Sequence, residues 1–394
     1  MKISSPSEDC RGEEGADMRT VGIVAEYNPF HAGHRHQIDQ TRRALGTCAV
    51  AAVMSGNFVQ RGDCAVADKW SRAAAALDGG ADLVVELPTV WAAASAEAFA
   101  RGAVAILREL EVDALSFGSE SGDAAALARA AATLDSGAYR QVLRGYLDRG
   151  LPFARCRHLA ARTLLGEAGA TCLASPNDNL GVEYLRAARR LDFAPQVVAV
   201  PRVGAGHDGG DHPDYPSASH LREQIHGGKL PMDNPASLRY NERGVLSRLR
   251  ELEQADFAAL PDCGEGLANR LYRACRQAVG LEELYQLAKT KRYAHGRIRR
   301  CVLWACLGLK AADRPEHPPY LRVLGANRTG LAMLRRLDTP LPVITKPAAG
   351  HGIPLLELEA RCTDFFNLCR KDPLPCGTEW STSPVIRAGE GETP

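Results

Sequence analysis

The segment VGIVAEYNPFHAGHRHQ, residues 21–37, constrains the fold of this chain more than any other stretch. Val21–Ala25 is a short apolar run typical of a buried strand, and a polar turn with one proline follows it. A helix is predicted to begin at His31-Ala32-Gly33-His34. The first amides of a helix have no intrahelical partners and carry a partial positive charge. The segment therefore predicts a βα unit with a phosphate site at the helix start.

Apolar runs continue to alternate with helical patterns after this unit. Further strands are predicted at residues 49–54, 82–87, 114–117 and 196–203, and the segments between them favour helices. This alternation indicates an α/β fold with a doubly wound parallel sheet, whose ligands bind beyond the carboxyl ends of the strands. Polar turns follow several of these strands, including the first at Asn28, so they are expected to meet at one edge.

Strand patterns become rare from about residue 238 onward. Several helices are predicted there, together with two strand-like runs at Tyr320–Leu324 and Leu341–Ile344. We predict a disordered leader at residues 1–18, a nucleotide-binding domain at 19–235, a mainly helical region at 236–376 and a loose tail at 377–394.

Composition excludes few functions. The chain has 48 basic and 47 acidic residues, so its formal net charge of +1 neither supports nor excludes nucleic-acid binding. Twelve cysteines occur without a C-x-x-C pair, which favours a reduced, cytoplasmic protein. Cys362, Cys369 and Cys376 are evenly spaced but have no nearby histidine, so no metal site is predicted. No apolar run is long enough to cross a bilayer, and neither a membrane nor a protein partner is expected.

His31 and His34 are three residues apart and share a face of the predicted helix, with Gly33 between them. They could be a metal-binding pair, unrelated surface histidines or phosphate ligands. A metal pair needs a further ligand on the same face, whereas each imidazole alone can donate a hydrogen bond to a phosphate oxygen. Phosphate contact is the interpretation that the pattern favours. The arrangement His-x-Gly-His after a first strand resembles the signature of the nucleotidyltransferase superfamily that includes class I aminoacyl-tRNA synthetases.

Other segments are candidates for the same cleft. Ser217–Arg222 is an ordinary helix start by itself, but beside His-x-Gly-His it resembles that superfamily's second phosphate loop. Arg202 follows a predicted strand and could reach phosphates, and Asn177 could be a helix cap or a ligand contact. Lys69 and Arg72 could border the cleft or be surface charges.

The segment KTKRYAHGRIRR, residues 289–300, differs in kind from the rest of the chain. It carries six basic residues and no acid, and an apolar run follows it directly. The pattern predicts a helix anchored in a core with its basic end projecting toward an anionic partner, against the alternative of a solvated charged helix.

Taken together, these segments resemble the bacterial tRNA(Met) cytidine acetate ligases. The resemblance runs from about Arg19 to about Leu368 and includes VGIVAEYNPFHAGH, VMSGNFVQRGD, DLVVELP, FGSESGD, SPNDNLGVEYL, PRVGAGH, SASHLR and KTKRYAHGRIRR. It implies a Rossmann-like sheet of the nucleotidyltransferase type followed by a mainly helical region. It also implies that ATP activates acetate as acetyl-adenylate and that the wobble cytidine of elongator tRNA(Met) accepts the acetyl group, giving N4-acetylcytidine.

The resemblance assigns residues by matching motif. His31 and His34 are the expected catalytic residues, and Mg²⁺ is expected to accompany ATP. The expected ATP contacts are Val24, Ala25, Glu26, Tyr27, Asn28, Pro29, Phe30, His31, Ala32, Gly33, His34, Arg35, His36, Gln37, Gly118, Asn177, Arg202, Ser217 and Ser219. The expected tRNA contacts are Lys289, Lys291, Arg292, Arg297, Arg299 and Arg300.

The chain departs from the family pattern at three places. Asp178 follows Asn177 where a second asparagine is usual, Gln37 replaces a histidine, and Ser219 replaces a threonine. Two other functions remain open on sequence grounds: an adenylyltransferase for a small phosphate-bearing metabolite, and a non-catalytic RNA-binding protein. An adenylyltransferase of this kind would not require the basic C-terminal region, and a non-catalytic RNA-binding protein would not require His31 and His34.

Overall fold

The structure is a computed structural model that describes residues 18–151, 153–203, 215–346 and 350–388. The predicted leader lies almost wholly outside the described residues. Within them, the strands are β1 (Arg19–Ala25), β2 (Cys48–Ser55), β3 (Phe58–Val59), β4 (Asp63–Cys64), β5 (Leu83–Leu87), β6 (Ala114–Ser119), β7 (Gln196–Pro201), β8 (Leu321–Ala326), β9 (Val343–Ile344) and β10 (Val385–Ile386).

Helices cover most of the remaining described chain. They are α1 (Ala32–Leu45), α2 (Lys69–Asp78), α3 (Thr89–Ala92), α4 (Ala96–Glu109), α5 (Ala124–Leu134), α6 (Gly137–Leu147), α7 (Phe153–Thr171), α8 (Pro176–Arg190), α9 (Ala218–His226), α10 (Glu242–Glu251), α11 (Gln254–Ala258), α12 (Leu267–Gln277), α13 (Leu281–Ala288), α14 (His295–Leu307), α15 (Arg328–Arg336), α16 (Pro354–Leu368) and α17 (Thr378–Ser381).

One central sheet organises these elements, with strand order β10-β8-β5-β2-β1-β6-β7 and β9 paired to β8. The five neighbouring strands β5, β2, β1, β6 and β7 all run parallel, as the alternating pattern predicts. Chain order runs from β1 through β2 to β5 on one side of the sheet, then returns to the other side of β1 for β6 and β7. The point where the order reverses lies between β1 and β6, and this is where such sheets bind ligands.

Helices cover both faces of the sheet, because the central strands are apolar on both sides. On one face, α1 buries Ile38 against Val21, Ile23 and Val50. On the other face, α4 crosses β1 at Gly22, where an added Cβ would lie 2.5 Å from a methyl carbon of Leu107. The confirmed fold class is thus an α/β doubly wound sheet with a helical C-terminal region.

The C-terminal region also contributes to the sheet. β8 adds antiparallel to the edge strand β5, and β10 and β9 pair parallel with β8. The sequence pattern shows β8 and β9 as apolar runs, but it does not show which edge they join, since strand pairing over more than 200 residues leaves no local signal.

The prediction of a loose tail from residue 377 is wrong for the part that the structure describes. Helix α17 places Glu379 at 1% exposure, and β10 extends the sheet. An ion pair with Lys69 holds this segment against the core. The Lys69 ammonium, also fully buried, lies 2.7 Å from Glu86 and 2.6 Å from Glu379. Arg322 of β8 lies 3.5 Å from Glu379. The Gly/Thr/Glu/Pro-rich composition of residues 377–394 gave no sign that Glu379 belongs to a buried cluster of charged side chains.

The described residues contain no helix that is long and apolar enough to cross a membrane. The described cysteines are all free thiols, and the described part of the chain has no group of three metal-ligating side chains.

Candidate active site

A cavity of about 550 Å³ opens at the carboxyl ends of β1, β6 and β7, at the point where the strand order reverses. Of the predicted ATP contacts, it is lined by Val24, Ala25, Glu26, His31, Gly33, His34, His36, Gln37, Gly118, Asn177, Arg202, Ser217 and Ser219. The tertiary structure therefore brings together segments that lie almost 200 residues apart in sequence.

His31 and His34 form the entry to helix α1. The Nδ1 atom of His31 accepts the Gly33 amide at 3.1 Å, and the Nδ1 atom of His34 accepts the His31 amide at 3.3 Å. This reciprocal arrangement caps the helix in the manner of a capping box. Because both Nδ1 atoms accept, a neutral ring must carry its proton on Nε2. Each histidine is thus prepared to donate one Nε2–H hydrogen bond.

The electrostatic surroundings keep these imidazoles neutral. Burial, together with the positive charges of Arg202 and Arg222, lowers the pKa of His31 to about 4. Burial also holds the pKa of His34 well below its usual value, with contributions from His31 and Arg202. Protonating either ring would add a positive charge beside Arg202, which is why both rings stay neutral. The arginines and the neutral N–H donors together suit an anionic ligand.

Gly33 is required by the conformation of the cap. A Cβ atom at this position would lie 2.9 Å from Cε1 of His31, because the His31 ring folds back over the first helical turn. Any larger residue would push the ring out of its capping position. The glycine of His-x-Gly-His therefore serves the histidine geometry as well as any ligand.

The loops after β6 and β7 form the next part of the wall. The Arg202 amide donates to the Ser119 carbonyl at 3.0 Å, which fixes the end of β7 beside Gly118. Asn177 at the start of α8 donates its side-chain amide to Glu120 at 2.6 Å. These bonds hold two of the predicted ligand contacts, Asn177 and Arg202, at the cavity mouth.

Asp178, which departs from the family pattern, is 2% exposed and lies behind this loop. Its carboxylate accepts hydrogen bonds from the Ser119 hydroxyl and from the Glu120 and Ser121 amides. The extra negative charge is therefore used in holding a loop and does not face the cavity.

Helix α9 supplies the opposite wall. The Ser217 hydroxyl accepts the His220 amide at 3.2 Å, so it caps the helix as its position predicts. Arg222 donates to the Asn28 carbonyl at 2.7 Å and to the Ser219 hydroxyl at 3.0 Å. This arginine joins α9 to the turn after β1 and closes the cleft between them.

Some residues of the predicted set do not line the cavity, namely Tyr27, Asn28, Pro29, Phe30, Ala32 and Arg35. Tyr27 and Phe30 pack edge to face with ring centroids 4.9 Å apart, and Tyr27 also packs against His34. The buried Asn28 side chain accepts the Val66 amide at 2.8 Å. Tyr27 and Phe30 therefore support His34, and Asn28 ties the turn after β1 to Val66. Ala32 and Arg35 are exposed, and Arg35 donates to the Asp78 carbonyl at 2.9 Å.

Comparison with known proteins identifies the family. A family model described as HIGH Nucleotidyl Transferase matches residues 18–377. The tRNA(Met) cytidine acetate ligase of Thermoanaerobacter sp. (strain X514) is 34% identical over 404 residues, which cover 94% of this chain and all of the relative. That of Caldanaerobacter subterraneus subsp. tengcongensis is 35% identical over 386 residues, 90% of this chain and 96% of the relative.

The chain belongs to the tRNA(Met) cytidine acetate ligase family.

Solved structures of this family agree in fold. A crystal structure of Thermotoga maritima TmcAL bound with alpha-thio ATP matches with a TM-score of 0.86 at 29% identity, and it covers 94% of this chain and all of that one. The apo form I of the same protein matches with a TM-score of 0.88. The predicted family and fold are confirmed over both the sheet and the C-terminal region.

The sequence patterns missed much of the cavity of this tRNA(Met) cytidine acetate ligase family member. An apolar wall comes from Phe99, Phe117, Leu180 and Tyr184 on α4, β6 and α8, which only the packing of the sheet brings together. Tyr184 is buried, and its burial raises the pKa of its hydroxyl.

Gln60 and Arg61 of the β3–β4 turn also line the cavity. Both residues lie in the segment VMSGNFVQRGD, which contributes to the family resemblance. The resemblance could have pointed to them, but no residue of this segment has a pattern that identifies a ligand contact by itself.

The predicted helix over the basic segment is only partly correct, because α14 begins at His295 and residues 289–294 form a turn. Lys289 donates to the Tyr293 carbonyl at 2.6 Å. The three arginines at the start of α14 also have partners inside the protein. Arg297 lies 2.9 Å from Glu265, Arg299 lies 3.9 Å from Asp63, and Arg300 donates to the Gln60 carbonyl at 3.3 Å.

A second cavity, of about 670 Å³, lies between α12 and this turn, separate from the 550 Å³ cavity described above. We call it the basic groove; its charged lining residues are Arg270, Arg273, Lys291 and Arg292. All four are exposed, and no acidic residue belongs to the lining that the structure describes. Arg270 and Arg273 were missed because, in sequence, they are scattered charges of an amphipathic helix.

Lys69 and Arg72 neither border the cleft nor lie on the surface, so both sequence alternatives are wrong. Both side chains are buried, at 0% and 2% exposure. Arg72 donates to the carbonyls of Glu26, Ser55 and Gly56. Glu26 directly follows β1, Ser55 ends β2 and Gly56 follows it. It satisfies strand ends under the cavity, where backbone carbonyls would otherwise be buried without donors.

Proposed function

We propose that this chain activates acetate with ATP and transfers the acetyl group to the exocyclic amine of the wobble cytidine of elongator tRNA(Met). An acetate oxygen attacks the α-phosphorus, the bond to the β-phosphate oxygen breaks, and pyrophosphate leaves. The cytidine N4 then attacks the acetyl carbonyl, loses a proton and displaces AMP, giving N4-acetylcytidine. The observation that carries the proposal is the pair of neutral histidines, both with Nε2–H donors, at a helix start lined by arginines.

His31 and His34 are the proposed catalytic residues. Negative charge on the phosphate oxygens rises as acetate attacks, and donors already aimed at that position stabilise the transition state more than the bound substrate. The N-terminal amides of α1 add their partial positive charge. Arg202, Ser217 and Ser219 are proposed to hold the rest of the triphosphate from the facing loops.

The apolar wall is proposed to take the adenine ring. Phe99, Phe117 and Tyr184 offer flat, apolar surfaces at the cavity end formed by α4, β6 and α8. Gly118 fits close approach there, because a hypothetical Cβ at this position would meet, among the described residues, only Arg202 and Gln37, at 3.7 and 3.9 Å. Asn177 lies at the same edge and can select a base or ribose by hydrogen bonding.

Mg²⁺ is proposed to enter with ATP. Glu26 is the single carboxylate among the described residues of the lining, and one of its oxygens already accepts the Gln60 amide at 2.8 Å. Such a site fits a magnesium ion held mainly by phosphate oxygens and water, which is its common mode in ATP-using enzymes.

The basic groove is proposed to bind the tRNA backbone. Its four cations are exposed and have no acidic neighbour in the described lining, although the Arg270 Nε donates to the Ala288 carbonyl at 2.9 Å. Such a cluster of positive charge suits the phosphate backbone of a nucleic acid. This proposal keeps Lys291 and Arg292 from the predicted set and adds Arg270 and Arg273. Lys289, Arg297, Arg299 and Arg300 belong to the same basic region, but their internal partners leave them less free to contact phosphates. An enzyme acting on tRNA in this way is proposed to work in the cytoplasm.

The test incubates the protein with ATP and labelled acetate, with elongator tRNA(Met) or without RNA. Acetyl-adenylate in both reactions, and label in tRNA only where it was added, is the expected result. A tRNA transcript whose wobble cytidine is replaced by uridine should form acetyl-adenylate without accepting label. Absence of acetyl-adenylate and of labelled tRNA would overturn the proposal.

A further inference from the structure

The β3–β4 hairpin lies between the 550 Å³ cavity, which is proposed to bind ATP and is called the ATP cavity below, and helix α14 of the basic C-terminal region. Its turn, Gln60-Arg61-Gly62, contacts both. Gln60 and Arg61 line the ATP cavity, whereas Gly62 packs on the backbone of α14. The hairpin is short, so its tip position depends on what it contacts.

On the cavity side, the turn is tied to the end of β1. The Gln60 amide donates to the Glu26 carboxylate at 2.8 Å. Arg61 is exposed at the cavity wall, and no described acidic side chain forms an ion pair with it. Burial, and after it the positive charge of Arg61, lowers the pKa of Arg222 to about 10. An arginine that is exposed at a cavity wall and has no acidic ion-pair partner among the described residues is suited to bind an anion from the cavity.

On the other side, the first turn of α14 holds the hairpin. Gly62 has φ +77°, and a Cβ atom there would lie 2.5 Å from the Arg299 carbonyl carbon. Arg300 donates to the Gln60 carbonyl at 3.3 Å, and Arg299 lies 3.9 Å from Asp63 of β4. Burial lowers the pKa of Arg300, since most of its side chain is enclosed between the two elements. These contacts hold the turn and the start of β4 against α14.

We propose that Arg61 binds an oxyanion of the adenylation step, either the acetate carboxylate or the α-phosphate, and that Arg300 positions it by holding the hairpin from α14. Arg300 does not line the cavity and acts only through Gln60 and the turn. The inference rests on the proposed function. It gives Arg299 and Arg300 a role in the first half-reaction, whereas the basic pattern alone suggests contact with tRNA.

The assay is acetate-dependent ATP–pyrophosphate exchange by the full chain without RNA, which isolates adenylate formation. Arg61→Ala should lower kcat/KM by about 100-fold, as expected for removal of one oxyanion contact, and Arg61→Lys should recover part of the loss. A raised KM for acetate assigns Arg61 to the carboxylate, and a raised KM for ATP or a reduced kcat assigns it to the α-phosphate.

Arg300→Ala should lower exchange by about 10-fold and change the same kinetic parameter as Arg61→Ala. If Arg300 acts through Arg61, the double variant should be no slower than Arg61→Ala alone. Arg300→Ala should leave tRNA affinity within about twofold of wild type. Arg129→Ala is the control, because Arg129 is an exposed arginine on α5 that lines neither cavity.

Unchanged exchange in Arg61→Ala would overturn the inference while leaving the proposed function intact, provided that the wild type forms acetyl-adenylate. Independent, multiplying effects of Arg61→Ala and Arg300→Ala would overturn the positioning role. Because Arg61 is exposed, Arg61→Ala should fold normally and keep the test decisive even if Arg300→Ala is unstable. A wild type without acetate-dependent exchange would instead count against the proposed function.

Discussion

The imidazoles of His31 and His34 stack with ring centroids 3.9 Å apart, at an interplanar angle of 27°. Each ring accepts a backbone amide on Nδ1, so the helix start itself selects the tautomer with hydrogen on Nε2. The capping contacts and the proposed chemistry therefore depend on the same protonation state. A change that disturbs the cap is expected to disturb phosphate binding as well.

Replacing His34 with alanine removes one of the two Nε2–H donors. We expect His34→Ala to lower acetate-dependent ATP–pyrophosphate exchange by about 100- to 1000-fold, the usual effect of losing one preorganised donor. His317→Ala is the control, because His317 is exposed and distant in sequence from the cavity lining. Equal loss in both variants, or none in His34→Ala, would contradict the assigned role.

The pKa values of the histidines predict a pH dependence. The pKa of His31 is about 4 in the folded protein, below its value of 6.5 in the unfolded chain. Between pH 4 and pH 6.5 the unfolded chain binds more protons than the folded protein does. The contribution of His31 to the free energy of unfolding is therefore fully present above pH 6.5 and is lost as the pH falls toward 4. Exchange activity of the folded enzyme should fall only as the pH approaches about 4, where His31 becomes protonated, since a protonated Nδ1 cannot accept the capping amide.

Thermal unfolding between pH 7.5 and pH 4.5 measures this dependence. His31→Asn is the matched variant, because asparagine is a good helix cap and does not titrate in this range. Its melting temperature should decrease less than that of the wild type over the same interval. A steeper decrease in His31→Asn would show that other groups set the acid limit.

If the basic groove binds tRNA, reversing one of its charges should weaken tRNA binding and reduce the dependence of that binding on salt concentration. Arg273→Glu and Lys291→Glu should each weaken tRNA binding about tenfold or more and reduce the slope of log K against log salt by about one. Adenylate formation without RNA should stay near the wild-type rate, since both residues lie in the other cavity. Arg328→Glu changes an exposed arginine of α15 outside both cavities and should leave the slope unchanged.

The buried ion cluster predicts that the C-terminal segment stabilises the whole domain. Glu379→Gln removes one of the two carboxylates close to the Lys69 ammonium and leaves the excess positive charge of Lys69 and Arg322 in the core. Breaking a buried pair in this way is expected to cost about 3–5 kcal/mol of unfolding free energy.

Denaturant unfolding of Glu379→Gln and of the exposed-site control Glu316→Gln measures this effect. Glu316→Gln should stay within about 0.5 kcal/mol of the wild type. A Glu379→Gln protein as stable as the control would show that the ion cluster contributes little to holding the tail.

The central α/β unit was predictable because its signals are local. Apolar runs of strand length, cap residues such as Ser217 and the His31–His34 pair are all read within a few residues of sequence. Their meeting at one edge follows from a general rule for parallel sheets. The antiparallel addition of β8 and the parallel pairing of β10 could not be predicted, because both depend on contacts between residues at least 60 positions apart.

The family, the helix start after β1 and the two histidines that cap it could be identified from the amino-acid sequence, because they depend on residue type and short spacing. Which charges are free to act depends on the packing of the folded chain. Lys69 and Arg72 are used in the core and Arg300 holds the β3–β4 hairpin, whereas Arg61 and the cations of the basic groove have no acidic ion-pair partner among the described residues. The cause is that a charged side chain has the same letter in the sequence whether it is buried with a partner or exposed, and its environment is set by distant packing.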